Sequence, residues 1–355
     1  MKEQRIASID VFRVIAILAV ICIHTAPFDP KSSPPGVANE VIFVLVNTFC
    51  RFAVPFFFLT AGYFSGNSLL KSKSDSFSLF KRYSKRLIIV FIVWSVIYAV
   101  MPDDFLWATL KLGLSKGLFQ PAYERFLLTV SRYREEPIFF LMEGTKSHLW
   151  FLPSLMIAMG IITSFLVVRK EKYLMPFSIA LYIMGLLMNT YVHTPIGIHL
   201  PFRFDGKDGP FVSTLFTAIG FWFSKRDKCF STIPASLIAI AGYALSLIEI
   251  TLIRRFLHGP STQVFTIGTV PFGIGMFCFA LSKPNLGEST IFPKLGSLTL
   301  GIYVSHILAW EMVWNFQRFF NIFLWQLIFP ILIYLLALGI TILLKKFPPT
   351  ARIVS

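Results

Sequence analysis

The chain has 355 residues, of which 55% are hydrophobic and 14% charged, and its mean hydropathy is +0.69. A soluble domain averages about 45–50% apolar and about 25% charged residues. The composition therefore excludes an ordinary soluble protein and predicts an all-α, polytopic membrane helix bundle that forms one domain over residues 1–355. The basic residues that give the net charge of +15 cluster between the apolar segments, which indicates the positive-inside bias of membrane proteins. Nucleic-acid binding is therefore not predicted.

Ten apolar segments are predicted to span a membrane, because each approaches the length of about 20 residues that crosses a bilayer. The first follows a basic N-terminus and looks like a signal peptide. No small-residue cleavage site follows it, however, so a retained helix is predicted. The segments lie at about 8–28, 41–65, 86–101, 148–168, 173–190, 211–224, 233–253, 264–281, 297–316 and 323–344.

Basic residues are concentrated in every second connection between these segments. They stand before the first segment, after the second, fourth, sixth and eighth, and in the tail. The alternate connections are nearly neutral, and the longest of them, 102–147, holds six basic and six acidic residues. The positive-inside rule therefore predicts that both termini are cytoplasmic and that 102–147 is an extracytoplasmic insertion between spans three and four.

The insertion carries leucines at helical spacing, from Leu106 to Leu118, which indicates amphipathic helices on the membrane face. Two interpretations of it remain open, a folded cap and a lid over an outward-facing acceptor site. Residues 72–85 are rich in serine and lysine and predict a basic cytoplasmic loop. The four cysteines are scattered and form no CxxC motif, so neither a disulfide framework nor a zinc site is indicated.

Arg13 and His24 stand in the first apolar segment with ten residues between them. Eleven positions make almost three helical turns, so both side chains project from one face, roughly 16 Å apart along the axis. Ionisable groups inside a membrane helix are costly and mark a functional site by default. Asp10 lies three residues before Arg13 and is placed to pair with it. The arrangement suits a long ligand with a polar head that extends across the bilayer.

Three more segments carry polar residues at membrane depth. Arg51 lies near the middle of the second segment, where a cation needs a counter-charge, a carbonyl or a polar ligand. His148 and Trp150 stand where the fourth segment begins, and Tyr303 and His306 lie midway through the ninth. A structural alternative exists for the histidines, because a buried histidine can hydrogen-bond a neighbouring helix and an interfacial one beside tryptophan is common.

These residues, in this order, resemble the acyltransferase 3 family of bacterial membrane acyltransferases, over nearly the whole chain. The arginine and histidine separated by ten residues are the family's hallmark. The matching stretches are IDVFRVIAILAVICIH at 9–24, RFAVPFFFLTAGYF at 51–64, the basic segment ending in KRYSKRL, HLWFL at 148–152 and LGSLTLGIYVSHIL at 295–308.

The chain departs from the family pattern in two places. The basic motif usually has two arginines separated by two residues, whereas Arg82 and Arg86 have three between them, so Lys81 or Lys85 takes one role. The SLAVEEQFY-like continuation of one large branch is replaced by SLMIAMGII, which removes one family glutamate. The chain thus looks like the shorter branch, similar to surface-polysaccharide O-acetyltransferases, in which no extracytoplasmic esterase-like domain is expected.

The resemblance implies transfer of an acyl group, usually acetyl, from cytoplasmic acyl-CoA to a hydroxyl of an envelope glycan or lipid-linked saccharide, such as O-antigen or exopolysaccharide. The expected location is the bacterial inner membrane, and the expected partners are acetyl-CoA, the saccharide acceptor and membrane lipids. No metal is expected, because the histidines show no ligand spacing typical of zinc.

The resemblance and the positions of the residues together imply their roles. Arg13, with Asp10 beside it, is expected to bind the CoA phosphates with three cations of the basic segment, Arg82, Lys85 and Arg86. The pantetheine arm would then run along the first span and bring the thioester near His24.

At the thioester, His24 is expected to act as general base on the acceptor hydroxyl or as an acyl-carrying nucleophile. Arg51 is suited to neutralising the thioester oxygen as it gains charge. His148 is expected at the outer rim, where it would position the glycan, and Trp150 would stack on a sugar face. Tyr303 and His306 are expected to line the cavity.

Two other classes of function remain as alternatives. A proton-coupled secondary transporter also uses histidine, arginine and glutamate inside the membrane. No inverted repeat and no matching pair of broken helices is visible in the sequence. A polysaccharide flippase or scaffold would leave the spacing of Arg13 and His24 without a purpose.

Overall fold

The computed structural model describes residues 5–31, 39–71, 76–226 and 229–354. These residues form helices and connections without a strand, which confirms the predicted all-α class. The α-helices are α1 (Ala7–Thr25), α2 (Glu40–Cys50), α3 (Ala53–Lys71), α4 (Ser76–Val100), α5 (Phe105–Leu114), α6 (Gln120–Glu135), α7 (Pro137–Glu143), α8 (Phe151–Val167), α9 (Leu174–Met188), α10 (Pro210–Ser224), α11 (Thr232–Leu257), α12 (Thr269–Ser282), α13 (Phe292–Gly296), α14 (Thr299–Val313), α15 (Ile322–Lys345) and α16 (Pro348–Ala351).

Each of the ten predicted segments coincides with a helix or with a pair of consecutive helices. Within the described residues, seven segments are long and apolar enough to cross a membrane, and α10 and α12 are shorter apolar helices. The chain is therefore a multi-pass membrane protein. The count of ten spans and the cytoplasmic position of both termini stay predictions. The long apolar segments are Ala7–Thr25, Glu40–Ser68, Ser76–Val100, Ser147–Val167, Glu171–Met188, Thr232–Leu257 and Ile322–Lys345.

Helix α1 is apolar on most of its circumference and is buried along much of its length between α3, α12, α14 and α15. The end of the bundle where α1 begins is called the inner end below, and the end where α1 stops is called the outer end. At the inner end, Gly296 lies directly against Asp10, because a Cβ on this glycine would come within 2.6 Å of the Asp10 carbonyl oxygen. At the outer end, the backbone N–H of Phe28 donates to Gln326 at the start of α15 over 3.1 Å.

The second predicted span is broken at Arg51 and Phe52, between α2 and α3. The sequence predicted one unbroken span here, at about 41–65. Pro55 explains the break, because it has no N–H to bond the carbonyl of Arg51 four residues earlier. Gly62 has a different role: a Cβ there would lie 2.0 Å from the carbonyl oxygen of Thr217, so glycine allows α3 and α10 to pack closely.

The prediction of a loop at 72–85 was wrong for residues 76–85, and 72–75 lie outside the described residues. Helix α4 begins at Ser76, so the basic residues Arg82, Lys85 and Arg86 are on its first turns. The basic character of a segment did not exclude a helix there, because lysine and arginine are good helix formers.

The cysteines also differ from the sequence-based expectation. Cys229 and Cys278 form a disulfide with a Cα–Cα distance of 5.7 Å, although they are far apart in the sequence and belong to no motif. Cys22 and Cys50 are free thiols.

The insertion 102–147 contains α5, α6 and α7, so the prediction of helices in it was correct. Salt bridges fasten it to the bundle. Lys146 pairs with the fully buried Glu311 of α14 and lies 3.1 Å from Asp103, which in turn lies 2.9 Å from Arg125. Burial raises the pKa of the Asp103 carboxyl, but the attraction of Lys146 and Arg125 outweighs it and lowers this pKa to about 2.

Candidate functional site

A cavity of about 350 Å³ runs beside α1 and is called the inner cavity. Arg13 and His24 both line it, as do Tyr83 and Arg86 of α4. Since Arg13 and His24 are almost three turns apart on α1, the cavity extends from the inner end of the bundle to roughly 16 Å along that helix. The two residues therefore face the same space, as their spacing predicted.

Arg13 is held in place by an acidic neighbour. Its guanidinium lies 3.1 Å from Asp10 and 5.4 Å from the centre of the Phe64 ring, where a cation–π contact is favourable. Asp10 also accepts a 2.6 Å hydrogen bond from Arg5 and is almost fully buried. Asp10 is not among the residues that line the cavity, so its contribution is to position Arg13.

Three histidine rings meet at the outer limit of the inner cavity. The ring centre of His24 lies 5.1 Å from that of His306 and 6.3 Å from that of His148. His148 and His306 are 5.0 Å apart. The sequence predicted His148 at the outer rim, but its side chain is buried against the other two rings. Nothing in the spacing along the chain indicated this meeting, because the three residues come from distant segments.

Tyr303 forms hydrogen bonds with two of these histidines. Its hydroxyl donates to the backbone carbonyl of His148, and its own carbonyl oxygen accepts from Nδ1 of His306. A carbonyl oxygen can only accept, so Nδ1 of His306 carries the proton and Nε2 is free of it when the ring is neutral. Across the described ranges, Nε2 of His306 has no hydrogen-bond partner. It is a proton acceptor placed beside His24.

A second cavity, of about 190 Å³, lies on the other side of His24 and is called the outer cavity. Arg51 and Lys207 line it together with His24. The two cavities share a partition of five side chains. Its members are Val20, His24, Val54, His148 and Trp150.

Arg51 is oriented by a residue that the sequence reading missed. Its Nε atom donates a 3.0 Å hydrogen bond to the side-chain oxygen of Asn47, which is buried one turn earlier in α2. The spacing alone could have predicted this bond, because an asparagine at position i and an arginine at i+4 lie on the same face of a helix. The bond fixes the guanidinium at the break between α2 and α3.

A third cavity, of about 480 Å³, is strongly basic and is called the basic cavity. Its lining residues are Arg82, Lys85, Arg86, Ile89 and Arg352. Arg86 lines the inner cavity as well, so the two spaces meet at its side chain. The three cations predicted in α4 thus line one cavity, and Arg352 of the C-terminal tail joins them without having been predicted.

A fourth cavity, of about 420 Å³, adjoins the outer cavity through Ser147 and Lys207 and is called the vestibule. Lys207 lies 2.5 Å from Glu143 and 2.8 Å from Asp205, and 3.5 Å from Asp208. Burial lowers the pKa of the Lys207 ammonium, but the three carboxylates outweigh it and raise this pKa above its ordinary value. Lys207 is therefore a fixed cation between the two spaces.

The predicted site residues thus fall into three groups. Arg13, His24, His148, Trp150 and Tyr303 line the inner cavity. His306 lines none of the four cavities described above but packs on His24 and His148. The remaining residues lie around this centre: Arg51 in the outer cavity, Arg82, Lys85 and Arg86 in the basic cavity, and Asp10 behind Arg13. Within the described part of the chain, no group of histidine, cysteine or carboxylate side chains is arranged to hold a metal ion.

The fold and the cavities define a multi-pass membrane protein with two buried cavities that share His24 in their lining. The model of the acyltransferase 3 family, described as an acyltransferase domain, matches residues 6–345. The chain belongs to this family.

Several curated proteins are similar in sequence to part of this chain. It is 27% identical over 266 residues to an amino-acid racemase of Enterococcus faecalis, and the aligned region covers 72% of this chain and 34% of the racemase. It is also 27% identical over 260 residues to a serine/alanine racemase of Enterococcus gallinarum, covering 71% of this chain and 33% of the relative. The match spans about one third of the length of these relatives, whose names describe the whole proteins. No solved structure matches the chain significantly.

Proposed function

We propose that the protein transfers an acyl group, most often acetyl, from acyl-CoA in the inner cavity to a hydroxyl of an envelope glycan or lipid-linked saccharide in the outer cavity. The observation that carries the proposal is the position of His24 in the partition between the two cavities. A catalytic base there touches both spaces, so the two substrates can meet without either crossing the bilayer. The proposed location is the bacterial inner membrane.

The donor side offers cations along its length. Arg86 connects the basic cavity to the inner cavity, and Arg13 lies farther in, about 16 Å from His24. Guanidinium groups bind phosphates well because their planar fork donates two parallel hydrogen bonds. The pantetheine arm is long and mostly apolar, and apolar side chains such as Val54, Phe57 and Leu155 line the space that it would occupy.

The acceptor side is polar at its mouth. A saccharide would enter through the vestibule, where Glu143 and Asp205 offer carboxylate oxygens that accept hydrogen bonds from hydroxyl groups. Trp150 in the partition presents a flat ring of the kind on which sugars stack.

The proposed reaction proceeds in one transfer at His24. His24 takes the proton of the acceptor hydroxyl, whose oxygen attacks the thioester carbonyl carbon. The carbon–sulfur bond breaks, and the proton held by His24 passes to the CoA thiolate. Arg51 stabilises the oxygen anion of the tetrahedral intermediate, in a site where water is scarce and such a donor acts strongly. His306 supports His24 from behind through the packing of its ring on the His24 ring.

The test uses detergent-purified wild type and His24→Gln with radiolabelled acetyl-CoA and a membrane extract from the producing cells as acceptor. We expect saturable CoA binding by both proteins and label transfer by the wild type alone, with the variant slower by about 100-fold or more. His199→Gln, in a loop away from the four cavities, is the control. If the folded wild type bound no CoA, the proposal would be rejected and a proton-coupled transporter would replace it.

A further inference from the structure

The C-terminal tail after α15 folds back against the bundle. Thr350 in the short α16 donates a 2.6 Å hydrogen bond to the carbonyl of Leu344, which turns the chain at the inner end. The indole N–H of Trp94 in α4 donates to the carbonyl of Ile353 over 2.8 Å. The tail is therefore attached to the same helix that carries the cations of the basic cavity.

The next residue anchors the tail further. Val354 is fully buried, and it lies so close to α14 that a Cβ on Gly301 would come within 3.0 Å of the Val354 Cβ. Only a residue without a side chain fits at position 301 without displacing the tail. The backbone is thus held on both sides of Arg352, whose side chain remains exposed and lines the basic cavity.

The basic cavity holds four cations and a single apolar residue, Ile89, among its described lining residues. A cavity lined by four cations attracts an anion, because each of them contributes a favourable charge interaction with it. An anion with several negative charges suits this lining best. Arg352 comes from the tail and the other three cations from α4, so the anion is bound from two directions.

We propose that Arg352 binds a phosphate of the nucleotide part of acyl-CoA, which makes the folded tail a component of the donor site. This inference rests on the proposed function. Coenzyme A carries a diphosphate and a 3′-phosphate, which match a cluster of four cations in charge. With the nucleotide in the basic cavity, the pantetheine arm passes Arg86 and enters the inner cavity, where Arg86 also lies.

The phosphate of an anionic lipid is the other source of the same chemistry. Basic side chains at the cytoplasmic membrane surface attract such lipids through charge alone, with little dependence on which cation is present. A nucleotide site depends instead on the geometry of each guanidinium. The test therefore compares cations inside and outside the cavity.

The variant Arg352→Gln is compared with Lys345→Gln and Lys346→Gln, which remove the same charge from exposed positions outside the cavity. Binding of CoA, adenosine 3′,5′-bisphosphate and pantetheine to the purified full chain is measured by titration calorimetry. We expect Arg352→Gln to bind CoA and the bisphosphate about tenfold more weakly, as befits the loss of a charge-assisted hydrogen bond. Pantetheine binding stays at the wild-type value, and both lysine variants bind all three ligands as the wild type does.

Each other outcome overturns the inference in a recognisable way. If Arg352→Gln bound CoA as tightly as the wild type, the tail would have no part in donor binding, while the proposed function would stand. An equal loss of CoA affinity in the two lysine variants would assign the cavity to anionic lipid. The same conclusion would follow if Arg352→Gln bound phosphatidylglycerol vesicles more weakly than the wild type but bound the bisphosphate equally well. A folded wild type that bound no CoA would overturn both proposals together.

Discussion

The imidazole ring of His306 lies 5.1 Å from that of His24, although the two residues stand near opposite ends of the chain. Nδ1 of His306 is already committed to the carbonyl of Tyr303, so Nε2 is the atom available towards the cluster. A histidine held in one tautomer beside a proposed base is in position to fix the orientation of that base. We therefore propose that His306 positions His24.

This arrangement predicts that His306→Phe lowers the turnover number more than it changes the affinity for CoA. Phenylalanine preserves the ring packing and removes both nitrogens, so His24 loses its support while the cavity keeps its shape. We expect turnover to fall by about 10- to 100-fold with the CoA dissociation constant unchanged. Transfer kinetics and calorimetry measure the two quantities, and His199→Phe in an exposed loop is the control. A large loss of CoA affinity would contradict a positioning role.

The bond between Asn47 and Arg51 predicts that Asn47→Leu lowers turnover by about tenfold, because the guanidinium loses the acceptor that fixes it. Asn47→Asp keeps an acceptor oxygen at the same place and should restore most of the activity. The comparison is made by single-turnover transfer of labelled acetyl groups. Equal activity of Asn47→Leu and the wild type would show that Arg51 is positioned by other contacts.

Lys207 neutralises a group of buried carboxylates, so Lys207→Met is expected to destabilise the protein by about 3–5 kcal/mol, the usual result of removing one partner of a buried ion pair. Glu143 is almost fully buried, and without Lys207 its charge has no compensation at 2.5 Å. The double variant Lys207→Met, Glu143→Gln should recover part of the loss. Thermal unfolding in detergent gives the difference, and a double variant no better than the single one would refute this account.

The pKa of Asp103 is lowered to about 2 by Lys146 and Arg125 in spite of partial burial. A carboxyl with a depressed folded-state pKa contributes stability that is complete above its unfolded value, near 4, and is lost as the pH falls through 2. We expect the contacts of Asp103 with Lys146 and Arg125, which join distant parts of the insertion, to weaken between about pH 4 and pH 2. Because Asp103 is more than half exposed, the effect is about 1 kcal/mol or less.

Limited proteolysis of the insertion with pepsin across this range measures how far the insertion loosens. Asp103→Asn should remove this part of the pH dependence and leave an insertion that is cleaved equally at pH 4 and pH 2. A variant with the same pH profile as the wild type would assign the effect to another carboxyl group.

The contact of Gly62 with Thr217 predicts that Gly62→Ala destabilises the packing of α3 on α10. A methyl group 2.0 Å from a carbonyl oxygen forces the two helices apart, which costs about 1–3 kcal/mol or more. Gly339→Ala is the matched control, because no atom lies within 4 Å of its Cβ position and alanine is the better helix former. Thermal unfolding should show a loss for the first variant and no loss for the second.

Local features of the chain could be predicted from its sequence. The all-α class, the helices of the insertion and the pairing of Asp10 with Arg13 follow from hydropathy and from spacing within one helix. The common face of Arg13 and His24 follows from helical geometry alone. These predictions needed no knowledge of which helices are neighbours.

The features that join distant segments could not be predicted in this way. Apolar residues are spread around the whole circumference of α8 and α14, so their sequences do not show which face meets α1, and the meeting of His148 and His306 with His24 stayed hidden. The same reason applies to Arg352, whose position depends on a tail that folds back on α4 and α14.

The shared partition has a consequence for the membrane itself. Side chains that include His24 and Trp150 line both the inner and the outer cavity and lie between them. The residues proposed to carry out the chemistry are thus also placed to limit the passage of protons and small ions between the two spaces. Their size is then constrained independently of their reactivity, and we expect His24→Gly to join the two cavities as well as to lower acyl transfer.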